Sequence, residues 1–262
     1  MDALVERNPR VVSAVKLHRG ATRRKTGRFL AEGANAVTAA IEAGRAVELF
    51  HTADADPAVL EQARSAGVPV ALVSDKAARA LGDTVTPPGL VAVCGTVDVP
   101  LTRVTDARLL AVPVEISDPG NAGTIIRVAD AVGADAVVLA GDAVDPHNGK
   151  CVRASAGSLF HLPIVRERDV DAVLDELSRA GIQLLATAAD GEVSLDDADD
   201  LLQKPTAWLF GNEAHGLDPA VSARADHRVR IPIRGRAESL NLATAAAICL
   251  YASGRVQAAK SR

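Results

Sequence analysis

The 262-residue chain is poor in three things. It has only six aromatic residues, Phe29, Phe50, Phe160, Trp208, Phe210 and Tyr251, which excludes a sheet that stacks several bases on exposed rings. Its three cysteines, Cys94, Cys151 and Cys249, are scattered, with no C-x-x-C and no Cys/His cluster at zinc spacing. That excludes a disulfide framework and a structural zinc site, so no metal is expected, and a reducing cytoplasmic setting is. Apolar runs are short and broken by Gly, Asp or Pro, and the first residues lack a basic stretch followed by an apolar one. Neither a membrane span nor a secretory signal is expected. The familiar nucleotide and hydrolase signatures are absent too: no G-x-G-x-x-G, no Walker spacing around Gly149-Lys150, no H-E-x-x-H and no G-x-S-x-G.

What is present is a large apolar fraction, 48%, with 24% charged residues, enough for a real core and incompatible with wholesale disorder. At about 100–200 residues per domain, the length predicts one large or two ordinary domains. The net charge of −4 argues at first against nucleic acid, but it is unevenly spread. Residues 1–30 carry Arg7, Arg10, Lys16, Arg19, Arg23, Arg24, Lys25 and Arg28 against Asp2 and Glu6, a local +6 that leaves −10 for the rest. A second cluster, Arg224, Arg228, Arg230, Arg234 and Arg236, is opposed locally by Asp226. Such clusters can neutralise phosphates on an acidic protein; charge alone is equally consistent with a solvated helix face.

Residues 9–45 read as helices, followed by strands at Val47–Phe50, Val68–Val73 and Leu90–Cys94, with helices at Pro57–Ala66 and Asp75–Leu81 between them. A polar, Pro-containing stretch, 96–107, is the best boundary. A second α/β series follows: strands at Leu109–Ile116, Ala136–Ala140, Ile182–Ala186, Ala207–Phe210 and Val229–Ile233, helices at Ala122–Val132 and Val170–Ala180, and a closing helix at Leu240–Ser253. The division expected is 1–97, a linker 98–107, and 108–262, with a largely parallel sheet whose strand ends carry the ligand.

Three loops at strand ends carry the chemistry. Ser117-Asp118-Pro119-Gly120-Asn121 is a turn into a helix bearing Arg127, with Asn121 expected to cap that helix. Gly211-Asn212-Glu213-Ala214-His215-Gly216 is a turn whose glycines allow a ligand close to the backbone and whose Glu213 offers an acceptor. Arg234-Gly235-Arg236-Ala237-Glu238-Ser239-Leu240-Asn241 opens the last helix, where Ser239 and Asn241 are most simply caps. Each alone is an ordinary strand–turn–helix.

Together and in this order, Asp118–Arg127, Leu209–Leu217 and Ile231–Tyr251 resemble the three motifs of the SpoU (TrmH-like) branch of the SPOUT methyltransferases, and Lys150–Ser158 resembles the segment between the first two. The resemblance covers 108–262. The segments Arg23–Gly33 and Thr86–Val93 resemble that family's accessory L30e-like RNA-binding domain, and the combination is most like the thiostrepton-resistance type of ribosomal RNA methyltransferase.

The resemblance implies an α/β fold with a C-terminal SPOUT domain, a parallel sheet and a deep trefoil knot, plus a smaller N-terminal L30e-like α/β domain. It implies S-adenosylmethionine as methyl donor, a ribose 2′-hydroxyl as acceptor, 23S ribosomal RNA as substrate and a homodimer through the C-terminal domain. Asn121, Arg127, Glu213, Ser239 and Asn241 match its catalytic positions, and Thr187, Gly211, Asn212, Glu213, Ile231 and Leu240 its cofactor positions. RNA contacts fall to Arg23, Arg24, Lys25, Arg28, Arg153, Arg234 and Arg236. The alternatives are a transfer RNA 2′-O-methyltransferase and a non-catalytic RNA-binding protein on the same scaffold.

Overall fold

The structure is a computed structural model and describes residues 3–83 and 89–260. Of the segment Thr86–Val93, residues Thr86, Pro87 and Pro88 therefore lie outside the described residues. The chain packs as two compact units, Met1–Val97 with Asp145–His161, and Asp98–Val144 with Leu162–Arg262.

In chain order, the first unit contains α1 (Pro9–Val15), α2 (Gly20–Thr26), β1 (Arg28–Glu32), α3 (Ala34–Glu42), β2 (Ala46–His51), α4 (Pro57–Ser65), β3 (Val70–Leu72), α5 (Asp75–Leu81) and β4 (Leu90–Gly95). The second begins with β5 (Asp98–Val99), β6 (Leu109–Pro113), α6 (Pro119–Ala131) and β7 (Ala136–Ala140). The chain then visits the first unit as α7 (Gly149–Ser155) and returns for β8 (Ile164–Glu167), α8 (Val170–Arg179), β9 (Gln183–Thr187), β10 (Val193–Ser194), α9 (Asp199–Leu202), β11 (Thr206–Phe210), α10 (Pro219–Ser222), β12 (His227–Arg230) and α11 (Leu242–Lys260).

The first unit holds a four-stranded sheet in the order β1-β4-β2-β3. Its central strand β4, Leu-Val-Ala-Val-Cys-Gly, is buried from Leu90 to Cys94 and pairs antiparallel with both neighbours. Leu30, Phe50, Ala71, Val91 and Val93 share one face with Val11, Ala14 and Leu17 of the N-terminal helices. Residues 28–32 were expected inside a helical stretch. They form β1 instead, because pairing with β4 over Arg28↔Gly95 to Glu32↔Val91 satisfies a backbone that Gly27, at φ 62°, has just turned out of α2.

Arg23 decides much of this unit. It was expected at an RNA surface, yet it is 6% exposed. Its guanidinium donates to the carbonyls of Leu17 and His18 and pairs with Asp145 at 2.8–2.9 Å. His147 completes the cluster: its Nδ1 lies 3.3 Å from Asp145, and its Nε2 accepts from the Val97 amide at 3.2 Å, which puts the ring proton on Nδ1. Burial works against the charged form of Asp145. Hydrogen bonds from His147 and Arg23 outweigh it and hold the carboxyl well below the usual carboxylate range. This cluster fastens Asp145–His161 to the first unit, although the sequence places it inside 108–262.

The second unit is built on eight parallel strands in the order β10-β12-β9-β11-β6-β7-β8-β5. The expected linker is part of it, since Asp98 and Val99 pair with Ile164 and Val165. β6, β7 and β11 are buried throughout, as near-continuous apolar runs with both faces covered should be. One face is closed by α11, whose Ala243, Ala246, Cys249, Leu250, Ser253 and Val256 recur at helical spacing and are buried. α11 lies against α6, and at Gly254 a Cβ would come within 2.9 Å of the Val132 carbonyl, so only glycine lets the two helices meet this closely. Beneath them the Trp208 indole, fully buried, donates to the Ser253 hydroxyl at 2.8 Å. Among the described residues no helix is long and apolar enough to cross a membrane.

Candidate active site

The C-terminal ends of β6, β9 and β11 bring the first two loops together, and the start of α11 supplies the third. Pro119 at the first turn of α6 needs no amide partner, and Asp118, not the expected Asn121, caps the helix by accepting from the Asn121 amide at 2.9 Å. The cap leaves the Asn121 carboxamide free to reach outward.

It reaches Glu213. The Glu213 carboxylate accepts from Asn121 Nδ2 at 3.1 Å, from the amides of Ser117 and Asp118 at 3.2 and 3.0 Å, and from the Ser117 hydroxyl at 3.0 Å. Asn241 Nδ2 then donates to Asn121 Oδ1 at 3.1 Å, while Asn241 Oδ1 caps α11 through the amides of Ala243 and Thr244. One hydrogen-bonded line, Glu213–Asn121–Asn241, thus ties all three loops. Partial burial works to raise the Glu213 pKa. The Asn121, Asp118 and Ser117 hydrogen bonds prevail and hold it below its ordinary value, so it is a carboxylate at neutral pH. Its acceptors are directed at the protein's own donors, which makes it an anchor for the first loop rather than the open acceptor expected.

Asn212 departs further from expectation. Its Nδ2 donates to the Glu115 carbonyl at 2.8 Å, its Oδ1 accepts from the Ala214 amide, and its backbone exchanges both bonds with Gly216 at 2.9 Å. A side chain so committed staples the second loop to the first. Glu115 itself sits at φ 53°, a left-handed conformation uncommon outside glycine, which turns the chain from β6 into the first loop. Gly211 is required for a reason other than the one expected. A Cβ there would fall 2.1 Å from the Gly216 carbonyl carbon and 2.2 Å from the Leu217 amide, so the close approach is the loop's own backbone.

Arg127 lies two turns into α6, exposed, with no hydrogen bond or ion pair among the described residues. Ser239 is exposed in the segment before α11 and, among the described residues, caps no helix. Thr187, at the end of β9, donates to the Leu209 carbonyl at 3.1 Å and lines a cleft of about 550 Å3 with Ala188–Asp190, His215–Leu217, Ser222 and Arg228. Ile231 and Leu240 are not among that cleft's walls; Leu240 is 36% exposed in the loop between β12 and α11.

The late arginines are largely spent. Arg224 pairs with Asp171 and Asp175, Arg228 with Asp190 and Glu192, and Arg234 with Asp196, while Arg230 donates to the carbonyls of Gly191 and Glu192. Arg236 is exposed and without an ion pair among the described residues. In the first unit, Arg153 is held between Glu32 and Asp83 at 3.4 Å. Arg24, Lys25 and Arg28 are exposed and unpaired among the described residues. No group of His, Cys, Asp and Glu among the described residues could hold a metal ion.

Residues 108–251 match the SpoU rRNA Methylase family, and residues 8–92 match an MRM3-like substrate binding domain. The chain is 36% identical over 247 residues to the 23S rRNA (guanosine(2553)-2′-O)-methyltransferase RlmP of Bacillus subtilis, covering 94% of this chain and 96% of that protein. Its structure is similar to an AdoMet-bound rRNA methyltransferase from Sinorhizobium meliloti, with a TM-score of 0.86 and 32% identity over 97% of each chain. It is also similar to the SpoU methyltransferase AviRb from Streptomyces viridochromogenes, solved with AdoMet, with a TM-score of 0.84 and 32% identity over 96% of this chain and 100% of that one. With the three loops joined as they are and the family's sequence pattern running through them, the chain belongs to the SpoU rRNA methylase family.

Proposed function

We propose that the protein transfers a methyl group from S-adenosylmethionine to a ribose 2′-hydroxyl of 23S ribosomal RNA. The observation that carries this is the Glu213–Asn121–Asn241 line, which holds three separated loops in one place, with the exposed Arg127 six residues beyond Asn121 in α6. The residues fit the cofactor: a cleft of about 550 Å3 lies at the strand end marked by Thr187, and Ala188, Leu217 and Pro219 line it with apolar side chains that an adenine ring would cover. When bound, the cofactor supplies a methyl group on a sulfonium; the protein's part is alignment and charge.

Arg127 holds the target phosphate and hydroxyl in line. Arginine is in general a poor base, since lowering its pKa to near 7 costs ~7 kcal/mol or more. The proton of the 2′-hydroxyl therefore leaves late, to water. Ser239 and Asn241, at the mouth of α11, complete the acceptor side. The segment from β9 to α11 is read as a trefoil knot, supported by its strand order, in which β11 inserts between β9 and β6 before β12 returns to the far side of β9. Ile248 and Tyr251, exposed on the outer side of α11, favour a homodimer through the C-terminal unit. The first unit presents the RNA, and its acceptor places the reaction in the cytoplasm.

The test is transfer of tritiated methyl from S-adenosylmethionine to ribosomal and transfer RNA, followed by mapping of the ribose. Label on a 2′-oxygen of 23S RNA is expected. Label on transfer RNA alone would select the alternative substrate, and cofactor binding without transfer to either would leave an RNA-binding scaffold.

A further inference from the structure

The basic N-terminal segment borders a groove that the methylation chemistry does not use. Where α1 and the end of α2 stop covering the first unit's sheet, a groove of about 370 Å3 opens over Val93, a size within the range of small-ligand sites. Pro9, Arg10 and Ser13 of α1 form one wall, Thr26 and Arg28 the other, and Glu48 of β2 closes an end. Arg10 is fixed there. Its Nε donates to Glu48 Oε1 at 2.6 Å, its Nη2 pairs with the same oxygen, and its guanidinium lies over the Phe50 ring, 5.9 Å from the centroid. Arg28 has no ion pair among the described residues, and Arg24 and Lys25 lead directly to the Thr26 wall.

We propose that this groove takes one unpaired nucleotide of the RNA, its base stacked on the Arg10 guanidinium plane and its phosphate met by Arg28. A guanidinium plane can replace an aromatic ring as a stacking surface, and this one is neutralised and immobilised by Glu48 before anything binds. The cation without a partner stands on the opposite wall, where a phosphate needs it. Shape and charge together favour a nucleotide over a protein segment, because Arg10 and Arg28 both line a small, partly apolar groove, and the segments that line it also carry the exposed Lys16, Arg19, Arg24 and Lys25 close by in sequence. The inference rests on RNA being the substrate.

Full-length protein and S13Y, which fills the groove from its rim, are titrated with a labelled oligocytidylate and with inorganic polyphosphate, alongside S-adenosylmethionine. S13Y is expected to weaken the oligonucleotide about fivefold or more while changing polyphosphate and cofactor binding by less than about twofold; R28E should weaken both anions. Oligonucleotide affinity within about twofold of wild type in S13Y, or equal loss for polyphosphate, overturns the nucleotide site and leaves only charge. T26W repeats the filling from the other wall should S13Y fail to fold. A wild-type chain that methylates 23S RNA but ignores the oligonucleotide overturns the groove alone and points to a protein surface. Oligonucleotide binding without methyl transfer to any RNA overturns the proposed function alone.

Discussion

Two arginine-rich regions look alike in sequence and have opposite fates. Along the late cluster, Arg224, Arg228 and Arg234 meet carboxylates from 36 to 53 residues upstream, and Arg230 meets backbone carbonyls. In the early segment, Arg7, Lys16, Arg19, Arg24, Lys25 and Arg28 are exposed with no ion pair among the described residues, and only Arg10 and Arg23 are paired. The early cluster thus keeps most of its positive charge available to RNA, while of the late cluster only Arg236 has no ion pair or hydrogen bond among the described residues; Arg103, Arg127 and Lys204 are further exposed cations of the second unit without an ion pair among them. A cation's neighbours in space, not its neighbours in sequence, decide whether it can neutralise a phosphate.

The sharpest way to break this contrast is at Arg23, the early cation that is spent. Arg23→Met leaves Asp145 partly buried without its main cation and should cost about 3–5 kcal/mol of stability, read from urea unfolding. Because the Asp145 carboxyl is held below its ordinary 3.8, its contribution is present above that value and lost as the pH falls toward the depressed folded one. Wild type should therefore lose stability on acidification from about pH 5 to pH 2, and Arg23→Met should lose less over that range. Equal acid slopes would remove the cluster from the account.

Arg127→Lys keeps the charge and loses the planar fork. A fall of about a hundredfold in kcat is expected, with cofactor affinity retained. Near-wild-type turnover at neutral pH would end any arginine-specific role.

Charge reversal at Arg24, Lys25 and Arg28 together should weaken RNA binding by about tenfold or more and lower the salt slope by about two to three, since each phosphate contact contributes roughly 0.9. Cofactor binding should stay unchanged. The smallest effect is reserved for the late cluster: Arg224→Ala and Arg228→Ala should shift RNA affinity less than about twofold and stability by about 1 kcal/mol at most, as exposed ion pairs do. A large loss of RNA affinity there would invert the comparison.

Much of the fold was legible because its signals are local. Asp75–Leu81, Ala136–Ala140 and the buried run of β11 follow from apolar periodicity, and the parallel sheet follows from their alternation with helices. β1 was hidden because a five-residue strand acquires its character only by pairing with β4 some sixty residues later. Arg23 was hidden because it sits among like residues, and its burial depends on Asp145, 122 positions away. The three loops could be recognised as a set from their resemblance, but their internal division of labour could not. Asp118 and Asn121 are equally good caps by composition, and only the geometry gives the cap to Asp118 and frees Asn121 for Glu213. The same holds for Gly211, where a glycine reserved for a ligand and one required by its own turn read identically.

The buried Trp208 has a practical consequence. It is the chain's single tryptophan, and it lies in the core of the second unit with its indole nitrogen bonded to Ser253. Its emission therefore reports the loosening of one unit only, while far-ultraviolet dichroism follows both. A native protein thus carries its own optical label for asking whether the first and second units melt together or in turn.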